Sequence, residues 1–412
     1  MSFDNLGLDP RLLKAVDSMG YTRPTPIQRD AIPFALDGRD VVGCAQTGTG
    51  KTVAFVLPVL QRIASGQKNP RALVVTPTRE LALQIEGVAV EASRFTGHRM
   101  AVVYGGVGYE PQLKALRRGV DLLVATPGRL LDLVEKKAVD LSQVEILVLD
   151  EADRMLDMGF WPQVRRIIAL IPPKRQNLLF SATMSSDVLR IIGSTLTDPE
   201  QVNVAPAATP VEAVMQHVYP VGGQQKSDLL VQLINSNDLE RVLVFTRTKH
   251  RADRVARVLE RSGIRGAAIH GDRSQAQRQK ALDGFKQGRY RVLVATDVVA
   301  RGIDIDGISH VVNYDLPNSP EDYVHRIGRT ARAGATGTAV SLLAPEEHET
   351  LREIERKIGT VLECSDLEGF DYSHDRLVPS ATRDAVATKP RTVYSGGVMS
   401  RRGGRGRSGR RR

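Results

Sequence analysis

Residues 45–52 read AQTGTGKT, and residues 148–153 read VLDEAD. The first stretch lies between an apolar pair at 41–42 and an apolar run at 53–60, which is typical of a strand, a phosphate-binding loop and a helix. The second stretch ends an apolar run in a cluster of acids. Together, in this order, the two stretches predict a nucleoside-triphosphate site.

Each residue type in the loop has a chemical reason. Gly48 and Gly50 allow the backbone to turn its N–H groups toward phosphate oxygens, Lys51 can reach the β- and γ-phosphates, and the Thr52 hydroxyl suits Mg²⁺. The general pattern begins with Gly where this chain has Ala45, so the match is good but imperfect. The loop residues predicted to bind the nucleotide are Ala45, Gln46, Thr47, Gly48, Thr49, Gly50, Lys51 and Thr52.

The acidic cluster consists of Asp150, Glu151 and Asp153 at the polar end of an apolar run, 146–149. Three carboxylates at the end of a buried strand need a cation or a hydrogen-bond network to hold them.

Length and composition predict two globular domains in a cytoplasmic protein. A chain of 412 residues is too long for one core, and its apolar runs stop far short of the ~20 residues that a membrane helix needs. The N-terminus shows no basic segment followed by an apolar one, so no secretory signal is predicted. Cys44 and Cys364 are far apart and match no metal or redox spacing.

The net charge of +10 is concentrated at the C-terminus. Residues 376–412 hold eleven Lys and Arg and one acid, so residues 1–375 are formally neutral. The tail ends RRGGRGRSGRRR, with almost nothing apolar to bury, and is predicted to be disordered. Arg/Gly segments of this kind bind nucleic-acid backbones by charge and guanidinium stacking. The alternative is a tail that only improves solubility.

Short apolar runs alternate with helical patterns along the chain, which predicts two α/β domains with parallel sheets covered on both faces. The runs are 41–45, 73–76, 100–104, 122–125, 146–149 and 178–180, then 242–245, 266–269, 292–295, 311–313 and 339–343. The Ala/Pro-rich segment 204–211, VAPAATPV, indicates a linker. The predicted domains are residues 1–204 and 212–365, joined by a linker at 205–211 and followed by a tail at 366–412.

Further motifs lie at the predicted strand ends. They are Gly20-Tyr21, 24–28 (PTPIQ), 77–81 (PTREL), 105–106 (GG), 126–129 (TPGR), 181–183 (SAT), 245–246 (FT), Gln275 with Arg278, 295–304 (ATDVVARGID) and 325–334 (HRIGRTARAG). With these motifs in order from about Phe3 to Cys364, the chain closely resembles the DEAD-box family of ATP-dependent RNA helicases, in superfamily 2. The short basic tail is similar to that of compact bacterial members. The resemblance implies two RecA-like domains that use ATP and Mg²⁺.

The resemblance assigns the nucleotide site residue by residue. Gln28 would pair with adenine, Tyr21 and Phe3 would lie against the nucleotide, and Asp304 would bind ribose, although Phe3 could equally be a core residue. Asp150 would hold Mg²⁺ and Glu151 would orient and deprotonate the attacking water; the alternative for Glu151 is a plain salt bridge.

In the second domain, Arg329 and Arg332 match the family's arginine fingers, which would neutralise the transferring phosphate only after the two domains close. Ala331 stands where the family often carries Gly, which raises a question about the local backbone angles.

RNA contacts implied by the resemblance are Gly, Thr, Gln and Arg residues suited to phosphates and sugars rather than base edges, so binding should be largely independent of sequence. Contacts to 2′-hydroxyls should favour RNA over DNA. These residues are Thr78, Arg79, Gly105, Gly106, Thr126, Gly128, Arg129, Gln275, Arg278, Thr296 and Gly302. The residues expected to couple the sites are Asp153, Ser181, Thr183, His325 and Arg326.

The sequence therefore predicts an ATP-dependent RNA helicase that unwinds short duplexes locally. Three alternatives stay open: a DNA helicase of the same superfamily, an ATP-gated RNA clamp in which strand separation is incidental, and a non-catalytic binding module. The last would need a broken site, which the intact residues do not suggest. Ribonucleoprotein or RNA-decay partners are family-level expectations, and nothing in the sequence names the RNA substrate.

Overall fold

The structure of the protein is a computed structural model that describes residues 2–45, 48–204, 214–300, 305, 307–331, 337–373 and 376–379. The helices and strands fall into a first half, up to residue 204, and a second half, from residue 214. The predicted linker at 205–211 lies outside the described residues.

The first half alternates strands and helices. Its elements are α1 (Pro10–Ser18), α2 (Pro26–Leu36), β1 (Val41–Cys44), α3 (Lys51–Arg62), β2 (Ala72–Val75), α4 (Arg79–Ala92), β3 (Met100–Val103), α5 (Glu110–Arg117), β4 (Leu122–Ala125), α6 (Pro127–Glu135), β5 (Ile146–Asp150), α7 (Ala152–Asp157), α8 (Trp161–Leu170), β6 (Gln176–Ser181), α9 (Ser186–Thr195) and β7 (Glu200–Asn203).

The second half repeats this alternation. Its elements are β8 (Val214–Pro220), α10 (Lys226–Ser236), β9 (Val242–Phe245), α11 (Lys249–Arg261), β10 (Gly266–Ile269), α12 (Gln275–Lys286), β11 (Val292–Ala295), α13 (Asp297–Ala300), β12 (His310–Asn313), α14 (Pro320–Ile327), β13 (Gly337–Leu343), α15 (His348–Ile358) and β14 (Glu363–Cys364).

Each half contains a parallel sheet of seven described strands. The order is β3-β4-β2-β5-β6-β1-β7 in the first half and β10-β11-β9-β12-β13-β8-β14 in the second. The central strands are buried along their whole length and consist mainly of Val, Leu and Ala, as expected for a sheet that helices cover on both faces. The predicted α/β class with two such domains is confirmed, and the loops that follow the strands gather at one edge of each sheet.

Every predicted strand is present, with ends that differ by at most two residues. The sequence analysis missed β7, β8 and β14. β7 reads EQVN and lies at a sheet edge, and β14 has only two residues, so neither contains an apolar run. β8 mixes polar and apolar residues and follows the predicted linker directly.

The second half extends beyond the predicted boundary at residue 365. Leu367, Phe370 and Tyr372 pack against the core of the second sheet. Arg376 forms an ion pair with Asp366 at 2.5 Å. Leu367, Phe370 and Tyr372, which fall within the predicted tail, therefore pack with the second half. The Arg/Gly-rich end of the tail lies outside the described residues.

In the described part of the chain, no helix has the length and apolar character required to span a membrane.

Candidate nucleotide site and RNA interface

The phosphate-binding loop joins β1 to α3. Gly48 and Gly50 have φ angles of 83° and 89°, in the left-handed region that glycine adopts without strain, and Gly50 begins α3. Lys51 is buried, and its Nζ donates a hydrogen bond to the carbonyl oxygen of Ala45 at 2.7 Å. The lysine predicted to bind phosphate is thus folded back onto its own loop.

Gln28 holds the same loop from the other side. Its Nε2 donates to the carbonyl of Gly50 at 3.1 Å, and its Oε1 accepts from the backbone N–H of Thr25 at 3.0 Å. The second bond is half of a capping box at the start of α2. The side chain predicted to pair with adenine therefore contacts the phosphate loop itself.

Asp150 ends β5 with a side-chain oxygen that has no partner. The residue is only 4% exposed, and its Oδ1 forms no hydrogen bond with any described residue. Burial raises the pKa of Asp150 to about 7; nearby Lys51 opposes the rise and Glu151 adds to it. A buried carboxylate oxygen without a partner is suited to a cation.

The described residues contain no cluster of three or more His, Cys, Asp or Glu side chains that could hold a metal ion by themselves. A single buried carboxylate with a nearby hydroxyl still fits Mg²⁺, because this ion commonly binds through one or two carboxylates and substrate phosphates rather than in an all-protein cage. Asp150 and Thr52 are the residues that would hold it.

Glu151 follows β5 in a left-handed backbone conformation, with φ 53° and ψ 54°. This conformation is uncommon for a residue with a Cβ and is found disproportionately at functional sites. Arg154 donates a hydrogen bond to its carboxylate, and both side chains are buried. The salt bridge that the sequence analysis gave as the alternative is therefore present, and Arg154 is a site residue that the sequence analysis missed.

Asp153 connects the acidic cluster to the segment that follows β6. Its Oδ2 accepts hydrogen bonds from the backbone N–H of Ala182 at 3.2 Å and from the N–H and hydroxyl of Thr183, both at 3.0 Å. The Ser181 hydroxyl donates to the carbonyl of Thr183 at 2.8 Å. Three of the predicted coupling residues thus form one hydrogen-bonded unit.

The two aromatic residues predicted to lie against the nucleotide differ in their surroundings. Phe3 is 4% exposed and belongs to the hydrophobic core of the first half, so the structure places it in the core, the alternative that the sequence analysis kept open. Tyr21 is exposed to solvent.

Arg326 is a buried junction in the second half. Its guanidinium binds the carboxylate of Asp297 at 2.6 and 2.8 Å and donates to Asn313 Oδ1 at 3.0 Å and to the Asp315 carbonyl at 2.7 Å. Asp297 directly follows Thr296, which is predicted to bind RNA. The predicted coupling role of Arg326 thus has a physical route, while neighbouring His325 lies in the last turn of the same helix, α14.

Arg329 is buried just beyond α14. Ala331, two residues on, has a φ of 54°, so a residue with a Cβ occupies a left-handed backbone position where the family often carries Gly. Five predicted site residues, Gln46, Thr47, Gly302, Asp304 and Arg332, lie outside the described residues.

The proposed RNA surface of the first half starts at α4. Thr78 caps this helix by accepting the N–H of Leu81 at 3.3 Å. The guanidinium of Arg79 lies against Gly106, where an added Cβ would collide with it, and near Gly105. Burial lowers the pKa of Arg79, and the nearby Arg278 adds to the effect. The structure thus brings together residues that are 26 positions apart or more in sequence.

Arg129 lies in the first turn of α6, which begins after Thr126 and includes Gly128. Its Nη2 donates to the carbonyl of Val107 at 2.9 Å, which ties α6 to the glycine loop after β3. Thr126 is buried and donates its backbone N–H to Val103 at 3.0 Å.

A buried ion pair joins the two halves. Arg278 Nη2 of α12 lies 2.5 Å from Glu80 Oε1 of α4, with both side chains almost fully buried. Gln275 Nε2 also approaches Glu80 Oε1, at 3.5 Å. Glu80 belongs to the PTREL motif, but the sequence assigns it no role, because a single acid in a helix gives no signal of a partner some 200 residues away.

Comparison with known proteins gives consistent matches. The family model described as DEAD/DEAH box helicase matches residues 25–191, and the model described as helicase conserved C-terminal domain matches residues 225–334.

Among individual proteins, the chain is 45% identical over 372 residues to the ATP-dependent RNA helicase RhlB of Pseudomonas syringae, covering 88% of this chain and 94% of that protein. It is 40% identical over 396 residues to the DEAD-box ATP-dependent RNA helicase CshA of Bacillus cereus, covering 95% and 75% of the two chains. A solved structure of S. cerevisiae Dbp5 bound to RNA and ADP BeF3 matches with a TM-score of 0.79 at 33% identity, covering 89% of this chain and 95% of that one.

Proposed function

The chain belongs to the DEAD/DEAH box helicase family, and from this premise we propose that it separates short RNA duplexes by closing its two halves on ATP and one RNA strand. As a member of this family it is an RNA-dependent ATPase and RNA helicase. Its nucleotide is ATP and its partner is RNA. The assignments of individual residues below are proposals.

In the first half, Lys51 leaves the Ala45 carbonyl to bind the β- and γ-phosphates, and Gly48 and Gly50 aim backbone N–H groups at the same oxygens. Asp150 and Thr52 would hold Mg²⁺, which is supported by the Oδ1 of Asp150 that has no hydrogen-bond partner among the described residues. The ion, when bound, neutralises charge that develops on the phosphates.

Glu151 accepts the proton of the attacking water. Its carboxylate is buried at the end of β5, next to Asp150, and a carboxylate that holds a water within hydrogen-bond reach can act as a general base. Arg329, from the second half, supplies positive charge to the transferring phosphate, and we assign Arg332 the same role from the sequence.

RNA binds across both halves, to the loops after β3 and β4 and to the start of α12. The observation that carries the proposal is the buried pair between Glu80 and Arg278, since it joins the helices that hold the predicted RNA residues of the two halves. A strand that occupies this edge therefore contacts both halves, and ATP and RNA favour the same closed arrangement. By linkage, each ligand then raises the affinity for the other.

A duplex-unwinding assay tests the proposal. A short RNA duplex with a single-stranded extension should be separated with ATP, and turnover should require hydrolysis, so that a non-hydrolysable analogue supports at most one round of separation. RNA should stimulate ATP hydrolysis and the matching DNA should not. Tight ATP-dependent RNA binding without strand separation would favour the RNA clamp, and equal stimulation by DNA would favour a DNA helicase.

The Arg-rich end of the tail is proposed to add affinity for RNA. Removing residues 380–412 should keep RNA-stimulated hydrolysis but weaken RNA binding and flatten its salt dependence. Each phosphate that the protein neutralises on a single strand contributes about 0.7 to the log–log slope, so a tail that neutralises four phosphates accounts for roughly 3 of it. An unchanged slope would mean that the tail only improves solubility.

A truncation after Cys364 should be compared with the deletion of residues 380–412. It also removes Leu367, Phe370 and Tyr372 and should lower the stability of the second half, because these side chains pack against its core. A cytoplasmic location and ribonucleoprotein or RNA-decay partners stay predictions from the sequence.

A further inference from the structure

Tyr109 lies in contact with two cationic side chains on the proposed RNA face of the first half. The guanidinium carbon of Arg129 is 4.2 Å from the centre of its ring, and Lys136 Nζ is 3.6 Å from it. The Tyr109 hydroxyl donates a hydrogen bond to the carboxylate of Asp132, which also forms an ion pair with Lys136 at 3.1 Å. Tyr109 lies three residues after the glycine pair 105–106, and no motif quoted from the sequence includes it.

Arg129 is held on three sides by this arrangement. Its Nη2 donates to the Val107 carbonyl at 2.9 Å, its Nε lies 3.8 Å from Asp132 Oδ2, and its guanidinium carbon lies 4.2 Å from the centre of the Tyr109 ring. The side chain is only 7% exposed, so it has little freedom to adopt other rotamers.

The remaining nitrogen of Arg129, Nη1, has no acceptor among the residues that the structure describes. Nη1 is buried and forms no hydrogen bond with any described residue. A buried N–H of a charged group without a partner is costly, and native proteins rarely leave one unless a ligand or water completes it. On a face where phosphates are expected, a phosphate oxygen is the acceptor with the matching charge and geometry.

We infer that Tyr109 is a positioning residue for RNA binding, which holds the guanidinium of Arg129 so that Nη1 is available to an RNA phosphate. The inference rests on the proposed RNA role of Arg129. The ring provides a flat surface for the guanidinium plane. Asp132 fixes the ring through the hydroxyl, and this hydrogen bond lowers the pKa of Asp132.

The test is RNA-stimulated ATP hydrolysis by the full chain, with a single-stranded RNA oligonucleotide of fixed length as the probe. Tyr109→Ala should raise the KM for RNA roughly fivefold, the size expected when a partly buried cation–aromatic interaction is removed, while kcat at saturating RNA changes little. Tyr109→Phe keeps the ring and should raise the KM by less. Thermal unfolding of each variant reports separately on any loss of stability.

A double-mutant cycle separates positioning from a general effect on the fold. If Tyr109 acts through Arg129, the variant that carries both Tyr109→Ala and Arg129→Gln should have the KM for RNA of Arg129→Gln alone. If the KM of the double variant instead reflects the product of the two single effects, the inference is overturned. It is also overturned if Tyr109→Ala has the KM for RNA of the wild type.

The proposed function can fail independently of this inference. If Arg129→Gln leaves the KM for RNA unchanged, the RNA role of Arg129 is wrong and Tyr109 has nothing to position. If Arg129→Gln raises the KM and Tyr109→Ala and Tyr109→Phe do not, the RNA role stands and only the positioning role is lost. Should Tyr109→Ala fail to fold, Tyr109→Phe and Asp132→Ala carry the test, since the first removes the hydroxyl that donates the hydrogen bond and the second removes its acceptor. If neither of these two variants raises the KM for RNA, the inference is overturned.

Discussion

The nucleotide side and the RNA side of the molecule differ in how far their functional groups are already engaged. On the nucleotide side, Lys51 donates to the carbonyl of Ala45 and Glu151 is bound by Arg154. The groups proposed to bind phosphate and activate water therefore have partners inside the protein. ATP must replace these contacts before it can be held for hydrolysis.

On the RNA side, several buried polar atoms have no partner among the described residues. They include Nη1 of Arg129, Nε of Arg278 and Oε1 of Gln275. RNA could satisfy such atoms without first breaking an internal bond. RNA therefore binds a surface whose polar atoms are available, whereas ATP binds a site in which Lys51 and Glu151 must first exchange partners. The buried pair of Glu80 and Arg278 links the RNA residues of the two halves.

Glu151→Gln is expected to have the largest effect on activity of the variants proposed here. Loss of the general base should lower kcat about 10²- to 10⁴-fold, while binding of ATP and RNA is retained because Lys51 and Asp150 remain. Single-turnover hydrolysis and nucleotide binding are the measurements.

Arg154→Gln is the matched control, since it removes the other half of the same salt bridge. If Glu151 served only that bridge, the two variants would lose activity equally. A much smaller loss for Arg154→Gln supports the catalytic role, and equal losses would contradict it.

The connection between the two sides is tested at the buried pair. Glu80→Gln or Arg278→Gln leaves one buried charge without its partner, at a cost of about 3 to 5 kcal/mol in the arrangement that contains the pair. RNA should then stimulate hydrolysis far less, and the concentration of RNA needed should rise.

The double variant Glu80→Gln with Arg278→Gln leaves no buried charge and should recover part of the loss. Basal hydrolysis without RNA is the internal control. If either single variant kept full RNA stimulation, the pair would not connect the two sides.

The buried carboxylate of Asp150 predicts a pH dependence of stability. Its pKa is raised from 3.8 to about 7 in the folded protein, so the folded state binds more protons than the unfolded state between these values. Stability is therefore unaffected below about pH 4 and falls as the pH rises toward 7, by at most about 4 kcal/mol.

Asp150→Asn removes this titration. In chemical unfolding without nucleotide or Mg²⁺, the free energy of unfolding of the variant relative to the wild type should increase between pH 4 and pH 8. A difference that does not change with pH would show that the carboxylate is satisfied in the folded protein.

The smallest expected effect is at Ala331. A left-handed backbone position costs a residue with a Cβ roughly 1 kcal/mol relative to glycine, so Ala331→Gly should raise the free energy of unfolding of the second half by about this amount. Lys137→Gly is the control for backbone strain alone, because Lys137 has a similar φ of 53° but lies in the first half. Loss of stability in Ala331→Gly would contradict the account of this strain.

The sequence predicts the fold well where a strand is buried on both faces of its sheet. Strands such as β2, β4, β9 and β11 are buried on both faces and therefore consist of uninterrupted apolar residues, which the sequence displays directly. The edge strands β7 and β14 face solvent on one side and contain polar residues, so they carry no such signal.

In the candidate site, too, a contiguous motif can be predicted from the sequence and a contact between distant residues cannot. The phosphate loop is a contiguous motif whose glycines and lysine are recognisable in the sequence. Glu80 and Arg278 meet only in three dimensions, and the contact of Tyr109 with Arg129 depends on the path of a loop. Phe3 could not be assigned because an aromatic residue that stacks on a base and one that fills a core look alike in sequence.

If ATP and RNA favour the same closed arrangement, each must tighten the binding of the other. The decisive measurement is the affinity of Glu151→Gln for a labelled single-stranded RNA with and without saturating ATP and Mg²⁺. A coupling free energy of typical size tightens binding about 5- to 150-fold, and we expect at least about tenfold. RNA affinity that is the same with and without ATP would contradict the account.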